Sequence, residues 1–134
     1  RWQFLGGQWA TLGYSRVRGT NEDLHEPLFQ PPADELSLGW EGGVAQGWTA
    51  DAAFRLVRRQ DRVARVFSRD TENATPGFAT ADFGLTYRWQ QQRVRLALRN
   101  AFDKAYHEHL SEGVSGQEIH APGRSLLVAW QGRF

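Results

Sequence analysis

Phe78-Ala79-Thr80-Ala81-Asp82-Phe83-Gly84-Leu85-Thr86-Tyr87-Arg88-Trp89 separates by parity into two sets. Ala79, Ala81, Phe83, Leu85, Tyr87 and Trp89 make one; Phe78, Thr80, Asp82, Gly84, Thr86 and Arg88 make the other. Successive side chains of an extended chain point to opposite faces, whereas a helix returns to the same face every 3.6 residues. The stretch therefore predicts a strand with one apolar and one polar face. Downstream, Val94, Leu96 and Leu98 oppose Arg93, Arg95, Ala97 and Arg99, and Leu126, Val128, Trp130, Gly132 and Phe134 oppose Ser125, Leu127, Ala129, Gln131 and Arg133. Upstream, Trp48, Ala50, Ala52, Phe54 and Leu56 oppose Thr49, Asp51, Ala53 and Arg55, while Leu36, Leu38 and Trp40 oppose Glu35, Ser37, Gly39 and Glu41. Two further strands with a less regular split lie at the N-terminus. The expectation is all-β: seven antiparallel strands at about 1–5, 8–18, 34–42, 47–59, 78–89, 93–102 and 123–134. No stretch sustains helical spacing between caps.

The connections alternate strictly. Gly6-Gly7, the segment around Gly42–Gly47, and Gln90-Gln91-Gln92 are tight turns; 19–33, 60–77 and 103–122 are long and polar. Short turns at one end and long loops at the other form the up-and-down pattern of a transmembrane β-barrel. Trp40, Trp48, Tyr87, Trp89, Trp130 and Phe134 sit near strand ends, as in an interfacial aromatic girdle. Parity does not say which face meets water. A small soluble barrel or sandwich that binds an apolar ligand would turn the same aromatic face inward. A complete eight-stranded membrane barrel fits less well, because seven strands leave the termini on opposite sides.

Composition narrows the field. The chain has no Cys, which excludes disulfides, a thiol nucleophile and Cys-ligated metals. It has no Met, so the expectation is a processed product or a segment of a longer reading frame. Lys+Arg number 16 against 15 Asp+Glu, a net charge of +1 that offers no general attraction to nucleic acid. The longest apolar run, Leu126–Trp130, is far short of the roughly 20 residues of a membrane helix. No signal-peptide pattern opens the chain. No G-x-S-x-G elbow, phosphate loop or H-E-x-x-H occurs, and no enzymatic activity is expected.

Three stretches resemble the C-terminal part of TonB-dependent outer-membrane receptors. Leu98-Arg99-Asn100-Ala101-Phe102-Asp103-Lys104-Ala105-Tyr106 is similar to the family's N-L-F-D-K-x-Y; His107-Glu108-His109-Leu110 with Ala121-Pro122-Gly123-Arg124 resembles Y-x-x-H-L … P-G-R; Glu26-Pro27-Leu28-Phe29-Gln30-Pro31-Pro32 resembles the P-L … P-P that ends an outer loop. The sequence departs from the pattern at Arg99-Asn100-Ala101, and at Gly132, where the family places a bulky residue. The family has a barrel of about 22 strands around an N-terminal plug. The resemblance thus implies that residues 1–134 are a C-terminal barrel segment without the plug, in the outer membrane of a Gram-negative bacterium. It further implies a part in TonB-driven uptake of a metal ion or metal chelate, siderophore-like. The implied partners are the remaining barrel and plug, the TonB complex acting through that plug, lipopolysaccharide, and the outer-membrane assembly machinery. The assembly signal would be Leu126, Val128, Trp130 and Phe134.

Candidate ligand contacts concentrate in the last long connection, which holds His107, Glu108, His109, Glu112, Glu118 and His120; His25 lies in the first. Residues i and i+2 of an extended segment share a face, so His107 and His109 can chelate one ion, with His120 returning from the other side. Imidazole and carboxylate suit Zn²⁺, Cu²⁺ or Ni²⁺, and the resemblance implies copper, zinc or an iron chelate as the transported metal. The polar parity carries Arg55, Arg88, Arg93, Arg95, Arg99 and Arg133. These could line a path for anionic ligands, or pair with Asp51, Asp82 and plug residues. Arg58, Arg59, Arg62, Arg65 and Arg69 could meet lipopolysaccharide phosphates or simply be solvated.

Overall fold

A computed structural model describes residues 1–29, 31–65, 73–112 and 118–133; of Leu5, residues 109–112, Glu118 and Ile119 it describes the backbone. The strands are β1 (Trp2–Phe4), β2 (Gln8–Ser15), β3 (Thr20–Asn21), β4 (Glu26–Pro27), β5 (Glu35–Ala45), β6 (Trp48–Val57), β7 (Phe78–Trp89), β8 (Gln92–Arg99), β9 (His107–Glu112), β10 (Glu118–His120) and β11 (Ser125–Gly132). Seven of them pair in the order β1-β2-β5-β6-β7-β8-β11, every neighbour antiparallel, in a sheet that is not closed on itself. This is the expected up-and-down order. The long connections are not plain loops: the first holds the β3–β4 pair and the last the β9–β10 pair.

Expected boundaries move by a few residues. The strand placed at 34–42 runs on through Ala45, with an irregularity between Gly43 and Ala45, and the turn shrinks to Gln46-Gly47. The strand placed at 93–102 stops at Arg99, because Asn100 takes φ 47°. The terminal strand ends at Gly132, and Phe134 lies outside the described residues.

Register aligns the apolar parity into continuous rows. Ala10, Trp40, Ala52, Phe83, Leu98 and Leu126 form one; Ala50, Leu85, Leu96 and Val128 another; Trp48, Tyr87, Val94 and Trp130 a third, at the short-turn end. In that last row Trp48 lies tilted against Tyr87 with centroids 4.6 Å apart, and Tyr87 stacks on the neighbouring Trp89 at 5.3 Å. Trp130 Nε1 donates to Gln92 Oε1 at 3.0 Å.

Burial is inverted relative to a water-soluble sheet. The apolar rows are open: Phe54 is 39% exposed, Leu96 43% and Val128 70%. The covered positions of the polar parity lie in β7 and β8, with Thr86 at 2%, Thr80 at 9% and Ala97 at 6%; Ala81, of the apolar parity, is also covered. Among the described residues no buried side-chain nitrogen or oxygen lacks a hydrogen-bond partner.

Gly47 closes the β5–β6 turn at φ 77°, a left-handed conformation costly for residues with a Cβ. Its carbonyl accepts from Arg88 N at 2.8 Å, and an added Cβ would meet the Arg88 carbonyl oxygen at 2.8 Å. Gly47→Val therefore costs about 2 kcal/mol or more, while Gln46→Ala at the neighbouring position costs under about 0.5 kcal/mol. Urea unfolding followed by tryptophan fluorescence checks both, and equal midpoints would contradict this account of the turn.

Candidate functional site

Ion pairs cross strands on the polar face. Arg95 of β8 reaches over β7 to Asp51 of β6, with Nη1–Oδ1 at 2.6 Å and Nη2–Oδ2 at 3.0 Å, a two-pronged guanidinium–carboxylate pair. Gly84 makes the crossing possible: a Cβ there would lie 2.5 Å from both the Arg95 guanidinium and the Asp51 carboxylate. Thr86 Oγ1 accepts a further bond from Arg95 at 3.2 Å. Arg99 donates to Asp82 at 2.8 Å. The expected pairing of Asp51 and Asp82 with face arginines is thus present.

Arg88 and Arg93 behave differently. They stand directly opposite each other in register, a like-charge arrangement that is unfavourable without an anion nearby. Neither has an ion-pair partner among the described residues. With Gln131 and Arg133 they line an open cleft of about 610 Å³ at the short-turn end.

At the long-loop end the β9–β10 pair is tied to the sheet. Arg55 donates to Glu35 at 2.7 Å and to both carboxylate oxygens of Glu108, one of them at 3.1 Å. Beneath it Phe78 stacks on Tyr106 with centroids 4.1 Å apart, and the guanidinium sits 5.4 Å from the Phe78 ring centre. Phe78 belongs to the polar parity, which made it look misplaced in the alternation. It is buried because Tyr106, at the foot of β9, covers it. Glu35, Arg55, Val57, Phe78 and Glu108 are among the residues lining a cavity of about 260 Å³.

The paired motifs of the last connection clamp each other. The buried Asn100 side chain accepts from Lys104 N at 3.0 Å and donates to the carbonyls of Lys104 and Pro122 at 2.9 and 3.2 Å. Asp103 Oδ1 accepts from Arg124 N at 2.8 Å. The N-x-F-D-K and P-G-R segments hold the two ends of one connection together.

His107 and His120 are direct cross-strand partners, with ring centroids 5.8 Å apart. The side chain of His109 lies outside the described residues. His25 is in the β3–β4 turn, at φ 52°, in a different connection. Among the described residues no group of three or more metal-ligating side chains forms. The loop arginines are partly engaged: Arg59 pairs with Asp61, Arg62 Nη1 donates to the Val17 carbonyl at 3.2 Å, and Arg65 N donates to Glu26 at 2.8 Å. Arg69 lies outside the described residues.

Sequence reasoning missed a second anchor. Arg18 donates to Asp34 Oδ1 at 2.5 Å and Oδ2 at 2.7 Å. Beside it Gln60 exchanges backbone bonds with Thr75 at 2.9 and 3.0 Å, and its amide donates to the carbonyls of Pro31 and Pro32. The signal was faint, because Arg18 and Asp34, 16 positions apart, meet only after β2 and β5 have paired, and Gln60 and Thr75 only after β6 and β7 have.

Among solved structures, the chain is similar to a copper transporter, OprC, with a TM-score of 0.82 and 25% identity. The match covers 96% of this chain and 20% of that one, so the chain spans about a fifth of the transporter's length. No protein-family model matches the sequence, and no curated protein does. The fold is shared with a transporter over a part of that transporter's length.

The Arg18 guanidinium, through its hydrogen bonds, holds the Asp34 carboxyl below the usual carboxylate range, against the opposing effect of burial. A carboxyl lowered on folding stabilises at pH above its unfolded value of about 3.9, and the contribution is lost as pH falls through the lowered folded value. Acidification from pH 6 to pH 5 should therefore leave this anchor intact. Carboxyl ¹³C titration of Asp34 should give a midpoint below 3.9 that rises toward about 3.9 in Arg18→Gln; an identical midpoint in both proteins would show that the pair does not form.

Proposed function

We propose that this chain is a C-terminal portion of the wall of an outer-membrane transport barrel of the TonB-dependent receptor type. The observation that carries this reading is the contrast between faces: large apolar side chains such as Phe54, Phe83, Leu85 and Leu96 stand exposed on one, while Arg95–Asp51 and Arg99–Asp82 pair across strands on the other. Lipid outside and water inside demand this arrangement. The three longest strands agree with it. β5, β6 and β7 have 11, 10 and 12 residues, where about 9–11 tilted residues span a bilayer. Among the described residues no helix is long and apolar enough to cross a membrane, which does not bear on strands.

Backbone pairing is complete within a closed barrel, and β1 and β11 are the two edges of the open sheet here. Further strands of the same wall would cover those edges. The likeness to a copper transporter supports a metal ion or metal chelate as cargo. In this reading Arg88, Arg93 and Arg133 at the short-turn end meet acidic groups of a plug on which the TonB complex pulls. The loop arginines face lipopolysaccharide. The β11 face, with Leu126, Val128 and Trp130, serves the assembly machinery. The chain's residues bind and guide; none is assigned a catalytic step.

Two measurements test this. An antibody against residues 1–134 should detect an outer-membrane species whose electrophoretic mobility shifts on boiling, and cells should accumulate radioactive copper through it only while the inner membrane is energised. A species confined to the soluble fraction would overturn the reading. Leu96→Arg, on the outward face, should destabilise the barrel in lipid vesicles by about 2–4 kcal/mol. Ala97→Ser, on the opposite face of the same strand, should change it by less than about 1 kcal/mol. Equal effects would mean that lipid does not cover the Leu96 face.

A further inference from the structure

We propose that His107 and His120 form a two-imidazole binding point for a borderline divalent cation, Cu²⁺ above all and then Ni²⁺ or Zn²⁺, at the base of the β9–β10 pair. The inference deepens the transport reading and rests on it for its use, though not for its binding chemistry.

The spacing suits a chelate. The two residues are opposite one another in an antiparallel ladder, and their ring centroids are 5.8 Å apart. An ion bound at about 2.0–2.1 Å from an imidazole nitrogen lies about 3.2 Å from that ring's centre, so two rings sharing it stand about 5 to 6.4 Å apart. The observed spacing falls inside this interval without backbone movement.

Both backbones are held at the rim of the sheet. His107 lies between Tyr106, stacked on Phe78, and Glu108, paired with Arg55. His120 precedes Ala121, whose N–H donates to the Tyr106 carbonyl at 2.8 Å, and then Pro122, whose carbonyl accepts from Asn100 at 3.2 Å. A pair of ligands fixed in this way loses little freedom when an ion arrives.

Two imidazoles fill only part of a coordination shell of four or more. The remaining positions stay open to water or to groups that travel with the ion. Such a site holds the ion weakly enough to pass it on. Its ligand class follows from the donors: imidazole nitrogen favours Cu²⁺ over Zn²⁺ and excludes Mg²⁺ and Ca²⁺, which take oxygen.

The test uses the detergent-solubilised outer-membrane protein that contains this chain, titrated with Cu²⁺ alone. Electron paramagnetic resonance should show two equivalent nitrogen ligands, and His107→Gln or His120→Gln should each reduce these to one and weaken binding by about ten-fold or more. His25→Gln should leave both readouts unchanged. The boiling-dependent mobility shift of each variant establishes that the barrel is folded. Unchanged copper affinity and nitrogen count in the folded His107→Gln/His120→Gln double variant would overturn the proposal. Two-nitrogen binding without energised copper accumulation would sustain this site while removing the transport reading.

Discussion

Arg95 crosses β7 to reach Asp51 because Gly84 presents no side chain to block it, and this crossing ties three strands together on one face. A charge can lie on a covered face only when it is paired and hydrogen-bonded. Arg95 and Asp51 meet both conditions, with Thr86 completing the set. The opposite parity is then left for large apolar side chains, which pack along the rows but not beneath another layer. Exposed rows of Trp, Phe and Leu are costly in water and favourable against lipid. The direction of the sheet is set by where its charges can be satisfied.

The two ends of the sheet do different work. At the short-turn end the backbone is tight, stacked aromatic rings occupy the outward row, and arginines without described carboxylate partners gather on the polar side. At the long-loop end nearly every contact is a tether. Arg18–Asp34, Gln60–Thr75, Arg55–Glu35–Glu108 and Asn100–Pro122 each join segments distant in sequence. A loop fixed at its base can present side chains in defined positions while the rest of it varies. His107 and His120 lie at such a base, which distinguishes them from polar residues merely carried on a loop.

The resemblance motifs acquire a structural meaning here. Asn100 takes a left-handed backbone conformation and caps both strands of the connection that leaves and re-enters the sheet. Asn is well suited to this, since its short amide bonds locally and tolerates positive φ. The departure at Ala101 is accommodated because its N–H, and not its side chain, makes the contact, donating to the Ala81 carbonyl at 2.8 Å.

The seven strands of the main sheet, their order and the alternation of short and long connections were legible in residue order; the β3–β4 and β9–β10 pairs were not. The period-2 pattern is local and needs no knowledge of partners, so 78–89 matches β7 end to end. The pairing of Asp51 and Asp82 with face arginines was also foreseeable, since parity alone puts them on one face. Which face is covered was not. Alternation is symmetric between a soluble core and a lipid-facing wall, and only the three-dimensional pairing of charges across strands breaks that symmetry. Part of the rim was hidden. Phe78 on a polar parity and the Arg18–Asp34 pair depend on register, which residue order does not carry; the return of His120 toward His107 was readable from the length of the last connection, though not its pairing in a strand ladder.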